Sequence, residues 1–498
     1  MRRLVLGPFN RVEGDLEVSL DLEGSQVAAA YVNSPLYRGF EQILADKSPL
    51  DALVFVPRIC GICSVAQSAA AATALADAMG LAPPENGRLA ANLVLAAENL
   101  ADHLSHFYLF FMPDFTGPAY GDRAWHGEAV ARFEAMAGTS SRRMLPARAS
   151  LLQTMGILAG KWPHTLALQP GGSTRPVQVA ERLRLVVLLR EFRAWLEEQL
   201  FGDRLEAVAA IPNLPELLDW SRQPGPAAAD FGLFLRLAED LELWQHGRAA
   251  DLFMSYGAYA QETGHFFAAG LWDGRLHPLD PDQIREDASH AWLAEEGGPR
   301  HPSDGLTRPQ AGKAGAYSWC KAPRLGGRAV EVGALARQVV AGQPLARDLV
   351  ARHGGNAFAR VVMRLVEIAR VLPAMEAWSM ALEPGAPYCS VAEMPAAATG
   401  TGLVEAARGA LGHWLMVREG RLANYQIIAP TTWNFSPRDG QGIPGPLEQA
   451  LVGLPAGEGA VPLVQHRAVA LLGEREAAFR REHVKRLPGL HQIGRAHV

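Results

Sequence analysis

The chain has 498 residues, 49% hydrophobic and 20% charged, which is enough apolar material for a large core and argues against intrinsic disorder. Its 47 Lys and Arg against 52 Asp and Glu give a formal net charge of -5, with no basic surplus to neutralise phosphates, so general nucleic-acid binding is not expected. Only four cysteines occur, Cys60, Cys63, Cys320 and Cys389, which excludes a disulfide framework and points to a reducing, cytoplasmic setting.

At the N-terminus, Arg2-Arg3 is followed by only a short apolar stretch before Gly7-Pro8, and Arg11 and Glu13 then interrupt, so no export signal forms. No apolar run approaches the ~20 residues of a membrane span. Residues 16–33 alternate around Glu23-Gly24-Ser25 and predict a β-hairpin. Residues 88–112 carry apolar positions at helical spacing, among them Leu93, Leu100, Leu104, Phe107 and Phe111. Ser173 and Thr174 before Pro176 mark a helix start, with an apolar stripe running to Leu200. Residues 356–382 predict another helix, kinked at Pro373, and residues 411–429 a second hairpin around Arg418-Glu419-Gly420. Long connections are expected at 113–122, 168–176, 295–327 and 384–402, where Pro and Gly cluster. The class is α+β, a central bundle of long helices with peripheral β-hairpins.

The chemistry concentrates at Pro57-Arg58-Ile59-Cys60-Gly61-Ile62-Cys63. Two thiols at i and i+3 can converge on one metal, with Gly61 easing the turn, and soft thiolates suit nickel, iron, zinc or copper(I). A structural zinc site needs four protein ligands, and neither Cys320 nor Cys389 has a second cysteine nearby. A thioredoxin-like site would need a strand before the pair, for which Leu53-Val54-Phe55-Val56 is the only candidate, and no βαβ alternation follows. Spacing alone leaves the metal open. Gly156 to Lys161 is one residue short of a P-loop and lacks its Ser or Thr. His103 and His106, three apart, read as core or supporting residues, and Cys320 and Cys389 as ordinary buried or loop cysteines.

Arg58-Ile59-Cys60-Gly61-Ile62-Cys63 resembles the N-terminal cysteine motif of [NiFe]-hydrogenase large subunits. The resemblance continues in order through Arg11-Val12-Glu13-Gly14, Tyr37-Arg38-Gly39-Phe40-Glu41, Asp102-His103-Leu104-Ser105-His106-Phe107-Tyr108, Ser318-Trp319-Cys320-Lys321-Ala322-Pro323-Arg324, Glu405 to Trp414 and Pro430 to Asp439. It implies that fold and a nickel–iron centre with carbon monoxide and cyanide on the iron. Cys60 would be a terminal nickel ligand and Cys63 a bridge between the metals. Glu13 would be the proton-relay carboxylate and Arg408 the guanidinium over the open metal position, with Asp102 as its charge partner. Pro430 and Thr431 would surround the iron's cyanide. Glu41 and the Ile427 carbonyl would hold a magnesium (or iron) ion. The implied partner is an iron–sulfur small subunit carrying the Fe–S clusters, with hydrogen as substrate.

Two departures resemble the hydrogen-sensing regulatory branch: Gln67 stands where respiratory members carry His, and Ala407 where most carry Pro before Arg408. In that branch bulky residues narrow the gas channel, at positions matched here by Ile62 and Phe110. A sensor histidine kinase is then a further expected partner. The alternatives are an energy-conserving uptake hydrogenase and, from another class, a cofactor-free structural or quinone-site subunit of a respiratory complex, whose members lose the cysteine pair retained here.

The family closes with Asp-Pro-Cys-x-x-Cys-x-x-His, and no such motif occurs in this sequence. Val464-Gln465-His466 still fits the family, whereas Arg467 to Val498 matches nothing expected of it. Codons such as CAT CGT GCG GTC for His466-Arg467-Ala468-Val469 yield Ile-Val-Arg one base later, the usual continuation. The expectation is a family domain over 1–466 and a frame-shifted, non-homologous tail over 467–498, leaving the polypeptide as written without a complete metal cage.

Overall fold

Alternation along residues 16–33 does give a hairpin, Leu16–Glu23 (β2) against Gln26–Asn33 (β3), and Arg2–Phe9 (β1) adds a third antiparallel strand that was not foreseen. The structure, a computed structural model, describes residues 2–9 and 15–454. The proposed relay Glu13, the Val464-Gln465-His466 segment and the expected 467–498 tail lie outside the described residues.

After the short helix Phe40–Leu44 (α1), the centre is helical: Ser64–Met79 (α2), Glu85–Ser105 (α3), Thr139–Ala159 (α4) and Val179–Trp195 (α5). Two further helices, Ala334–Val340 (α6) and Ala357–Ala381 (α7), complete the bundle. Leu89, Leu93, Leu100 and Leu104 bury one stripe of α3 against Leu151 and Leu158 of α4 and Val361, Leu365 and Ile368 of α7 in one continuous core. The helix expected from Pro176 starts later, at Val179, where the Gln178 and Glu181 side chains form a reciprocal capping box. Pro373 sits inside α7, and Asn356 caps that helix by accepting the Ala359 N–H.

The α3 stripe runs into a π-helical turn, His106–Phe111, which holds Phe110. Leu53 to Phe55, offered above as a strand, instead belongs to the helix Ala52–Phe55, which removes the thioredoxin-like option. Ala322–Leu325 (β5), inside the connection expected over 295–327, pairs with Ile284–Asp287 (β4) ahead of it.

Near the C-terminal end, Gly409–Arg418 (β7) and Arg421–Ile428 (β8) form the second predicted hairpin, and Ala398–Ala406 (β6) extends it to three antiparallel strands. This sheet lies directly on α2. A Cβ on Gly400 or Gly402 would run into the carbonyl oxygens of Ala74 and Ala70, so only glycine allows strand and helix to approach this closely. The alanine-rich face of α2 matches it. The short helix Pro430–Asn434 (α8) follows β8. Pro446–Leu451 (α9) then returns to the first sheet, where Leu447 and Leu451 pack on Leu16, Val18 and Val32 and Glu448 accepts the Val32 N–H. No helix among the described residues is long and apolar enough to cross a membrane.

Candidate metal centre

Cys60 follows a 3-10 turn, Val56–Ile59, and Cys63 immediately precedes the first turn of α2. Their Cα atoms are 5.5 Å apart and their sulfurs are in disulfide contact. The pair converges as the spacing predicts, but as a disulfide rather than as the two free thiols expected, so it must be reduced to thiolates before it can ligate a metal. The role expected of Gly61 is not needed: its φ is not in the left-handed region, and a Cβ there would meet nothing within 4 Å.

A buried carboxylate from the next helix holds this turn in place. Glu98 of α3 accepts the backbone N–H groups of Val65 and Ala66, both at 2.9 Å, and the Trp162 indole N–H at 2.9 Å. It thus satisfies the free donors at the α2 N-terminus and lies at the positive end of the helix dipole. Burial nonetheless pushes its carboxyl up to about 7. A carboxyl raised in the folded state favours folding below its ordinary value of 4.5, and that contribution is lost as pH rises through about 7. Unfolding free energy is therefore expected to decline over this window in urea titrations, and Glu98→Gln is expected to flatten the decline. A variant with the wild-type slope would remove Glu98 as its source.

The sulfurs open onto a cavity of about 250 Å³, also lined by Gln67, Cys320, Arg408, Pro430 and Thr431. Arg408, in the tight β6–β7 connection, brings Nη2 to 3.9 Å from Cys60 Sγ and Nε to 3.8 Å from Asp102 Oδ2. Asp102 is one turn beyond Glu98 on the same face of α3, so that helix serves both the cysteine turn and the guanidinium. Behind Arg408, the fully buried Arg337 of α6 donates to the Ala406 and Ala407 carbonyls at 2.8 and 3.1 Å, and binds Glu405 and Glu367. On the α2 wall, Gln67 Oε1 is 2.9 Å from His413 Nε2, whose Nδ1 is 2.8 Å from the Tyr425 hydroxyl.

A second polar cluster adjoins the cavity. Glu41 Oε1 accepts the Ile427 N–H at 2.9 Å and Oε2 contacts the Thr307 hydroxyl. Lys321 Nζ is 3.7 Å from Glu41, 3.0 Å from Glu286 and 2.7 Å from Gln426 Oε1. Burial pulls the Lys321 ammonium down, but Glu286 and Glu41 outweigh it and hold it above its ordinary value. Ile427 is thus brought to Glu41, through its N–H.

The remaining expected residues are placed differently. Ile62 is 37% exposed and Phe110 half-buried, and neither is among the cavity-lining residues. Cys320, read from sequence as incidental, lines the cavity, and burial pushes its thiol up to about 12. Glu98, Arg337 and the His413–Tyr425 pair were missed. For Glu98 a signal existed: a carboxylate four residues before Asp102, on the face of a helix otherwise rich in Leu and Ala.

Among the described residues no three His, Cys, Asp or Glu side chains gather as a metal cage. Reduced to thiolates, the two sulfurs beside a buried cation and the hydroxyl-bearing helix α8 fit one half of a site for soft metals, and the Glu41 carboxylate suits a hard cation.

The family described as nickel-dependent hydrogenase matches residues 38–120 and 120–470. The periplasmic [NiFeSe] hydrogenase large subunit of Desulfomicrobium baculatum is 29% identical over 486 residues, covering 91% of this chain and 90% of that protein. The hydrogenase-2 large chain of Escherichia coli K12 is 26% identical, covering 94% and 95%, and the uptake hydrogenase large subunit of Rubrivivax gelatinosus 25% identical, covering 91% of each. Among solved structures, the H2-activated Dm. baculatum [NiFeSe]-hydrogenase superposes with a TM-score of 0.82 at 27% identity, covering 96% of this chain and 100% of that one.

Proposed function

Since the chain belongs to the nickel-dependent hydrogenase family as a large subunit, we propose that it serves a hydrogen-sensing [NiFe] hydrogenase, in which heterolytic cleavage of hydrogen reports to a signalling partner. The observation that carries the reading is the cavity, where two cysteine sulfurs, a buried guanidinium and Thr431 face one space. Cys60 and Cys63 would hold a nickel–iron centre, and Glu41 with the Ile427 carbonyl a magnesium or iron ion beside it.

Such a centre, with carbon monoxide and cyanide on its iron, supplies the site at which hydrogen is split. This chain's residues surround it. Arg408 holds a fixed positive charge over the cavity, and Asp102 keeps it aimed there. Pro430 and Thr431 exclude water and offer fixed dipoles in its place. Glu13 would take a proton from a protonated cysteine sulfur, and Ile62 and Phe110, which lie outside the cavity lining, would narrow the approach of gases wider than hydrogen. Large subunits of this family pair with a small subunit, and we assign the Fe–S clusters to that partner, since four cysteines here cannot also hold a cluster relay. A cytoplasmic histidine kinase would read the state. The family domain is assigned to 1–466 and the tail to 467–498.

Gln67 and Ala407 favour sensing. The uptake and periplasmic relatives favour a second reading, an energy-conserving uptake enzyme. Deleting the gene separates them. Sensing predicts loss of hydrogen-induced transcription with hydrogen-dependent growth retained, and the reverse pattern would establish the uptake reading instead.

A further inference from the structure

We propose that Gln67 is the cavity's neutral hydrogen-bond donor, and that His413 and Tyr425 are positioning residues that turn its amide nitrogen toward the metal site. Gln67 lies one turn into α2 from Cys63, is 2% exposed and lines the cavity. Gln67 Oε1, the His413 ring and the Tyr425 hydroxyl form one buried chain of contacts at 2.9 and 2.8 Å. Burial pulls the His413 imidazole far down, to about 3, so the ring is neutral and carries a single N–H.

Only two arrangements satisfy a neutral ring between these neighbours. In one, the Tyr425 hydroxyl donates to Nδ1 and Nε2–H donates to the Gln67 carbonyl oxygen. In the other, the Gln67 amide donates to Nε2, and Nδ1–H donates to the Tyr425 oxygen. The second strands the Tyr425 proton in the core with no acceptor among the described residues, at a cost of about 1–3 kcal/mol. The first pairs every buried group and turns the Gln67 NH2 outward, where it has no hydrogen-bond partner among the described residues and faces the cavity.

An amide N–H there recognises an acceptor of sulfur or anionic character, such as a metal-bound thiolate or a small anionic ligand on the metal. Unlike an imidazolium, it supplies that hydrogen bond without a proton to transfer. The inference rests on the cavity being the metal centre, but its test needs no metal. In the full chain labelled with 15N-histidine, the His413 signal is identified by its loss in His413→Asn. It is expected as the Nε2–H tautomer, and Tyr425→Phe is expected to keep that tautomer while moving the resonance of the unprotonated Nδ1, which loses its hydrogen-bond donor. A wild-type Nδ1–H or doubly protonated ring would overturn the proposal, as would a Tyr425→Phe chain whose Nδ1 resonance does not move. Either result leaves the metal reading to be decided separately by nickel analysis.

Discussion

Arg337→Met is expected to lower the stability of the folded chain by about 3–5 kcal/mol, the usual cost of removing one partner from a buried ion network. The guanidinium is fully buried and donates to Glu367 at 2.7 and 3.1 Å and to Glu405 at 2.8 Å. Burial alone would push the Glu367 carboxyl up, but Arg337 outweighs it and holds that group down at about 2. Methionine fills the same volume and leaves two carboxylates in the core with no shared cation. His103, 3.1 Å from Glu367, cannot replace it, because burial pulls that imidazole down as well. Arg337→Lys restores the charge without the fork and should recover only part of the loss. Urea denaturation measures all three chains. A change below about 1 kcal/mol, the range of exposed pairs, would show that the network is not held by this residue. The loss should also reach the site, since Arg337 ties down the two carbonyls immediately before Arg408.

The second large effect concerns metal. A polypeptide of these 498 residues alone, produced with maturation proteins, is expected to hold far less than one nickel per chain. Even with the Cys60–Cys63 pair reduced, its four cysteines place only two thiolates as donors at the cavity, with Cys320 on the wall as a thiol whose ionisation burial opposes. If a full set of four protein ligands is worth ~10–16 kcal/mol, as in structural zinc sites, two of four forfeit roughly half, about 10⁴–10⁶ in affinity. Elemental analysis of the purified chain decides the matter. Stoichiometric nickel together with hydrogen uptake would sink the expectation.

Local patterns were read well where one physical rule dominates. Both hairpins are present because alternation with a Gly-containing turn leaves few other solutions, and α7 runs through Pro373 because its apolar periodicity continues on both sides. The third strand of each sheet was missed, since β1 and β6 gain their order from a neighbouring strand rather than from their own pattern. Leu53 to Phe55 misled in the other direction. Four apolar residues fit a strand or a helical turn equally, and packing on α2 decided for the helix. At the site, the cysteine pair and Arg408 with Asp102 were legible as motifs. Glu98, Arg337 and His413 were not, because a buried polar residue becomes meaningful only with its partner, and those partners lie far away in the chain.

The four cysteines divide the same way. By itself the sequence determined the inventory: two sulfurs one turn apart, no basic surplus, and motifs in an order that names a family. Only the tertiary structure decided that Cys320 faces the same space as that pair, that one helix carries both Glu98 and Asp102 to it, and that Gln67 is held by a histidine more than three hundred residues away. Spacing along the chain controls which neighbours a helix or hairpin can present. Convergence of distant polar groups depends instead on which faces the core brings together, and burial then sets how strongly they act.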